Sequence, residues 1–319
     1  MPTVYVSTYI VFMYQAADAG GSGAGPAPGR IELGPHSLLW QWAGDTRIAF
    51  MGASIGLLQL MHPAIGAGVL EHSDFFGDPY GRVFRSLPRI LGAVYDGPDA
   101  DGTGRDVRDF HRPIKGVDDQ GRRYHALDPE TFWWAHATFQ YMAEQVADRF
   151  DRHRLTPDER ERLYQEGVEW YRRYGVSDRS VPRDRAAFQE KWDHYCAEVL
   201  ELNAAASWVL QALRQPVLSA EPLLPPQLGL LRPLVRTSFA RYSVFRLVRL
   251  CAFGGLPPLV RERFDIGWSS VDTVALDGIE LTVRNAWPFV PASVRWQPRA
   301  LEGWQRVRAE RALHAAEAA

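Results

Sequence analysis

At Pro63, Pro79, Pro129 and Pro157 a run of helix-forming sequence opens on a proline. Proline has its φ preset for the first helical position and loses nothing there by lacking an N–H. The residue before it is steered out of the helical region, so each X-Pro pair marks a boundary. At three of the pairs the preceding residue, Asp78, Asp128 or Thr156, also carries an oxygen able to cap the new helix. These signals predict helices over 63–73, from 79 to about 95 with a kink at Pro88, from 129 to about 150, and from 157 to the stop at Gly175.

The stretches between follow the same logic. "TRIAFMGASIGLLQLMH" (46–62) is apolar nearly all round and is expected to be a helix buried on every side. Its small residues Gly52, Ala53 and Gly56 leave room for another backbone or a flat ligand. "DRAAFQEKWDHYCAEVLEL" (184–202) reads as a further helix, and the C-terminal third as two or three more, broken by prolines. Residues 96–128 are the longest polar interruption, rich in Gly-Pro and Asp-Gly turn signals, with a short hairpin expected at "DDQG". Strand signals are otherwise scarce. The fold expected is all-α, a single multi-helix domain with a turn-rich loop insertion. Its boundaries fall at a Gly/Ala/Pro-rich, flexible N-terminal extension over 1–30, the helical domain over 31–290, and a helical tail over 291–319.

Composition narrows the function by exclusion. Of 319 residues 46% are apolar, and a net charge of −2 leaves no footprint for nucleic acid. Cys196 and Cys251 stand alone and far apart, which suits neither a metal cluster nor a disulfide framework. The apolar start "MPTVYVSTYIVFMYQ" lacks the charged flank and the length of an export or membrane-spanning segment, so the cytoplasm is the expected location. The Arg-punctuated "RYSVFRLVRL" has the composition of a helix lying at a lipid surface, although a packed helix with snorkelling arginines explains it as well. No phosphate loop, nucleophile elbow, C-x-x-C or H-E-x-x-H motif is present.

The titratable residues that remain are few. On the helix opening at Pro129, residues Phe132, His136, Phe139, Ala143, Val146 and Phe150 recur at steps of three and four and share an apolar face. An imidazole there loses its hydration and needs a partner. It is either a core histidine bonded to backbone or a neutral ligand to a metal or haem iron. "MHPAIGAGVLEHS" offers His62, Glu71 and His72 for a non-haem metal, but Glu71 and His72 are adjacent on one helix and point about 100° apart. In "GRVFRSLPR", Arg82 and Ser86 form one row four apart and Arg85 and Arg89 another. Such rows are either solvated or turned toward carboxylates.

In order along the chain, "LGPHSLLWQWAGDTR", "LLQLMHPAIGAGVLEHSDFFGDPYGRVFRS", "GVDDQGRRYHALDPETFWWAHATF", "YGV" and "PPLVRERFDIGW" resemble the MpaB-type oxygenases. That family includes the rubber oxygenases known as latex clearing proteins, and the resemblance covers roughly residues 31–270. It implies a globin-like helical core holding haem b, with His136 as the proximal iron ligand, lined by Phe132 and Phe139. It also implies Arg82 and Ser86 beside the haem, as catalytic and propionate-binding groups, with serine where the rubber enzymes have threonine. Arg85 stands where those enzymes carry a lysine able to cap iron. No carboxylate occupies the neighbourhood of their catalytic glutamate; His62 is the nearest titratable group, expected as the distal acid/base or as a second axial ligand. The resemblance therefore points to a haem-dependent oxygenase acting with dioxygen on a hydrophobic small molecule, an alkene or isoprenoid, rather than on latex. The competing readings are a non-catalytic haem or apolar-ligand binding protein, a non-haem metal enzyme using His62, Glu71 and His72, and a purely structural helical module without cofactor.

Overall fold

The computed structural model describes residues 30–73, 77, 79–214 and 238–317, with the side chains of 79–85 and 238–241 left outside that description. The expected N-terminal extension, apart from Arg30, also falls outside it. The described chain is all-α. In order it forms α1 (Leu38–Trp42), α2 (Ile48–Leu60), α3 (Pro63–His72), α4 (Pro79–Tyr95), α5 (Ala100–His111) and the hairpin β1 (Lys115–Val117) and β2 (Arg123–His125). Next come α6 (Pro129–Phe150), α7 (Pro157–Arg173), α8 (Arg185–His194), α9 (Ala204–Arg214), α10 (Ser238–Gly254), α11 (Pro258–Arg263), α12 (Ser270–Ala286), α13 (Ala292–Arg295) and α14 (Pro298–Glu317).

The proline starts are realised. Asp128 caps α6 by accepting from the Glu130 and Thr131 N–H groups, and Thr156 caps α7 in a reciprocal capping box with Glu159. Pro63 opens α3 after His62, and α4 runs unbroken through Pro88. The hairpin pairs Lys115 with His125 and Val117 with Arg123, antiparallel, across the turn predicted at "DDQG".

Three expectations need correction. The stretch read as Gly-rich turns is helical over Ala100–His111. Two glycines in a helix interior cost about 1 kcal/mol each relative to alanine, but tertiary contacts reverse the local preference. Thr103 donates to Asp96 at 2.7 Å, and a Cβ on Gly104 would lie 2.4 Å from the Arg173 carbonyl oxygen, so glycine is what lets α5 meet α7. Second, α2 is not buried on every side: Ala49 and Gly52 are exposed, and a Cβ at Gly52 or Gly56 would meet nothing within 4 Å. Third, the helix expected over 184–202 ends at His194 and continues as one wide π turn, Tyr195–Val199, before the chain leaves at Leu200.

At the centre α2 packs on α6 and α10, while α6 also carries α7 and α12. Trp40, Leu57, Leu58, Trp133, Trp134, Val146, Phe150, Trp170 and Tyr171 are almost wholly buried there. The C-terminal helix is anchored as well. Arg299 grips Asp96 at 2.6 and 2.7 Å, and Arg306 donates to the Tyr95 carbonyl at 2.5 Å, which fastens α14 along α4. No described helix is long and apolar enough to cross a membrane alone; α2 and α3 together have the length and composition, but they meet at a 97° bend.

Candidate functional site

The α6–α7 seam is a polar ladder inside an apolar interface. His136 Nε2 donates to the Gly167 carbonyl at 2.9 Å, and one turn on Gln140 Nε2 donates to the Tyr164 carbonyl at 3.1 Å. One turn further, Glu144 accepts from Arg160 at 2.7 Å and from Arg185 at 2.8 and 3.0 Å. The spacing of 136, 140 and 144 along one face of α6 produces this ladder, because the partners descend α7 at 167, 164 and 160 as antiparallel helices require.

His136 is the one rung whose chemistry exceeds its structural need. It is fully enclosed, with Trp170, Tyr171 and Tyr174 turned edge-on to its ring at centroid distances of 4.8, 5.3 and 5.9 Å. Burial drives its pKa down to about 4, against the opposing pull of the Gly167 carbonyl, so the ring is neutral near pH 7. A carbonyl can only accept, so Nε2 carries the proton and Nδ1 carries the free lone pair. That Nδ1 is buried and has no hydrogen-bond partner. A histidine whose N–H is held by a backbone carbonyl while its other nitrogen stays free has the arrangement that metal-ligating histidines adopt. Phe132 packs edge-to-face on Tyr171 and Tyr174, and half-buried Phe139 leans on Trp170 at 6.1 Å. Both expected aromatic neighbours therefore belong to this cluster.

His62 lies at the α2–α3 corner. Its ring stacks on Tyr195 of the π turn at 6.0 Å and 20°, and Tyr195 continues into Trp134, Trp192 and Tyr141 at 4.9, 4.8 and 4.5 Å. Burial lowers its pKa to about 4 too, outweighing the nearby charges of Asp128 and Glu130, and its Nδ1 is also without a partner. The corner is closed by Asn203, which donates to the Leu60 carbonyl at 2.6 Å, and by Tyr195, whose hydroxyl is held by Glu130 at 2.5 Å.

The proposed non-haem metal set is not brought together. Glu71 and His72 are exposed and 4.0 Å apart, with Glu71 accepting from the Tyr124 hydroxyl of β2, while His62 points into the Tyr195 stack. Among the described residues no three His, Cys, Asp or Glu side chains gather as a metal group. Two successive helix positions diverge around the axis, which is why the spacing fails. Ser86 is exposed on α4, and Arg89 is exposed with its guanidinium over the Phe110 ring at 4.4 Å. The side chains of Arg82 and Arg85 lie outside the described residues. Cys196 and Cys251 are buried thiols pushed up to about 12 by desolvation, which makes them poor nucleophiles.

Sequence reasoning missed the charged groups that set these helices. Arg30 joins Asp101 at 2.8 Å and nearly buried Glu169, and Arg47 holds Asp45 and Asp151 at 2.8 and 3.0 Å. Of these only the Asp45-x-Arg47 spacing carries a local signal, since Asp45 also accepts the Arg47 backbone N–H at 2.8 Å.

No curated protein and no solved structure matches the chain. A family model does, described as the catalytic domain of ER-bound oxygenase mpaB/B' and rubber oxygenase, and it covers residues 40–285, from α1 to the end of α12 and including both buried histidines. The chain belongs to this family of oxygenase catalytic domains.

Proposed function

We propose that this oxygenase-family domain works with haem b, held through His136, and acts with dioxygen on a hydrophobic small molecule of the alkene or isoprenoid class. The observation that carries the reading is the state of His136: neutral, enclosed by rings, anchored at Nε2 and free at Nδ1. An axial ligand to haem iron needs a neutral ring with one nitrogen free, and a hydrogen bond at the other nitrogen orients it. Haem, when bound, would supply the oxygen chemistry, and the protein would supply orientation, access and electrostatics.

The chain's own residues then divide the work. His136 presents a lone pair at Nδ1 on a ring that cannot rotate without losing the Gly167 bond. Phe132, Phe139 and Trp170 keep water from it. His62 is neutral and has a free Nδ1, so it can take a proton there. The role of Arg82 toward a haem carboxylate rests on the resemblance of "GRVFRS" to the family pattern, in which Arg85 replaces an iron-capping lysine and, staying protonated, is a poor iron ligand. Ser86 takes part only if the exposed face of α4 turns inward. The hydrophobic substrate class rests on the resemblance to the family.

The test is to purify the chain from cells supplied with haem precursor, measure porphyrin per chain, and follow oxygen uptake across a panel of alkenes and isoprenoids. One haem b per chain with substrate-dependent oxygen uptake is expected. A protein that takes up no porphyrin even when haem is added in excess would overturn the cofactor assignment. Haem loading without oxygen uptake on any apolar substrate would overturn the oxygenase reading and leave a binding protein.

A further inference from the structure

We propose that the cleft where the start of α2 meets α12, α13 and α14 binds a planar aromatic molecule carrying a phosphate monoester. The cleft has a volume of about 460 Å³, within the usual range for small-molecule sites. Four indoles (Trp42, Trp287, Trp296 and Trp304) line it together with Arg47, Arg152, Arg284 and Arg295, against two carboxylates, Asp45 and Asp151. Both carboxylates are already committed, because each forms an ion pair with Arg47, whose remaining nitrogen donates to the Phe150 carbonyl at 2.6 Å. Arg47 is therefore neutralised and serves as scaffolding, and its guanidinium covers the Trp287 ring at 4.9 Å.

None of the other three arginines forms an ion pair among the described residues; Arg284 feels the charge of Glu280, but that carboxylate is already paired with Arg149 at 2.7 Å. Arg284 donates to the Arg149 carbonyl at 2.6 Å and Arg152 to the Asn285 carbonyl at 3.4 Å, while Arg295 Nε is buried with no hydrogen-bond partner among the described residues. The lining is short of acceptors throughout: the buried atoms here without a partner are Arg284 Nε, Arg295 Nε and Trp304 Nε1, all donors. Arg284 and Arg295 are half-buried cations without an ion pair, which is unfavourable, Arg152 is exposed, and a guanidinium fork matches phosphate oxygens in pairs. Four arginines against two aspartates leave two positive charges, the charge of a phosphate monoester near pH 7. The indoles supply surface for a flat ring, and Trp296 and Trp304 form one angled wall with centroids 5.5 Å apart.

The cleft is separate from His136. It opens beside Asp151 at the far end of α6, roughly 21 Å along the axis at about 1.5 Å per residue, so the inference does not rest on the haem reading.

The experiment titrates the full chain with flavin mononucleotide, riboflavin and inorganic phosphate, following flavin emission, which indoles quench on stacking. Flavin mononucleotide is expected to bind about tenfold or more tightly than riboflavin, to be competed by inorganic phosphate, and to weaken as salt is raised. Arg295→Gln is expected to weaken flavin mononucleotide by about tenfold and leave riboflavin unchanged. Arg152→Gln, at an exposed position that cannot disturb folding, is expected to act in the same direction. Equal affinity for the two flavins, no quenching by either, or parent-like binding in both variants would overturn the proposal.

Discussion

His136 and His62 share every property that burial confers and differ in what holds them. Each is nearly inaccessible, each is driven down to about pKa 4, and each keeps an unpartnered Nδ1. His136 sits in a rigid helix–helix seam, with its N–H fixed on the Gly167 carbonyl and rings edge-on around it. His62 sits at a bend between two helices, face to face with Tyr195, and its Nδ1 has no hydrogen-bond partner among the described residues. Desolvation alone makes a histidine neutral. The second partner decides whether it is also oriented, and orientation separates a ligand from a proton acceptor.

The largest effect expected on this comparison comes from the aromatic stack beneath His62. Trp134 is wholly buried between Tyr195 and Trp192, and its indole donates to the Leu58 carbonyl at 3.1 Å. Trp134→Ala is expected to cost about 4 kcal/mol of stability in urea unfolding. It is also expected to raise hydrogen exchange at the α2–α3 corner more than along the α6–α7 seam. Equal loosening of both would mean that the two histidines share one environment.

The next effect is on pH dependence. An unfolded histidine protonates near 6.5, whereas both of these resist protonation to about pH 4. The unfolded chain therefore binds more protons between these values, so stability is complete above pH 6.5 and is lost as pH falls toward 4. Each histidine contributes about 3 kcal/mol to that loss. His62→Gln and His136→Gln are each expected to remove that portion, so their deficits relative to the parent shrink between pH 7 and pH 4. A deficit for His62→Gln that does not change with pH would show that its corner admits water.

How much of this was legible in the sequence depends on the range of the interactions involved. The starts at Pro63, Pro129 and Pro157 could be read because capping and the proline ring act within one turn. Gly102 and Gly104 misled, because the contact of Gly104 with the Arg173 carbonyl is made across the fold and leaves no local trace. The apolar face carrying Phe132, His136 and Phe139 was visible in its spacing. The Gly167 bond was not, because the partner is a backbone atom on another helix. The burial of His62 under Tyr195 depends on a π turn that periodicity reads as plain helix. The arginine cleft gathers residues from Pro35 to Trp304, and no window along the chain contains it.

A smaller effect separates structure from ligation. Gln140 makes the same kind of bond as His136, one turn away on the same face, and has no ligand chemistry. Gln140→Ala is expected to cost about 1–2 kcal/mol, as the loss of one buried hydrogen bond with its partner stranded, and to leave any haem spectrum unchanged. If it removed the spectrum, the seam's geometry rather than His136 itself would be responsible.

The central claim is tested most directly by the visible spectrum of the haem-loaded parent beside His136→Ala and Gln140→Ala. A Soret band is expected in the parent and in Gln140→Ala, and its loss or shift in His136→Ala. A band identical in all three, in variants that unfold cooperatively, would contradict it and return His136 to the role of a structural rung between α6 and α7.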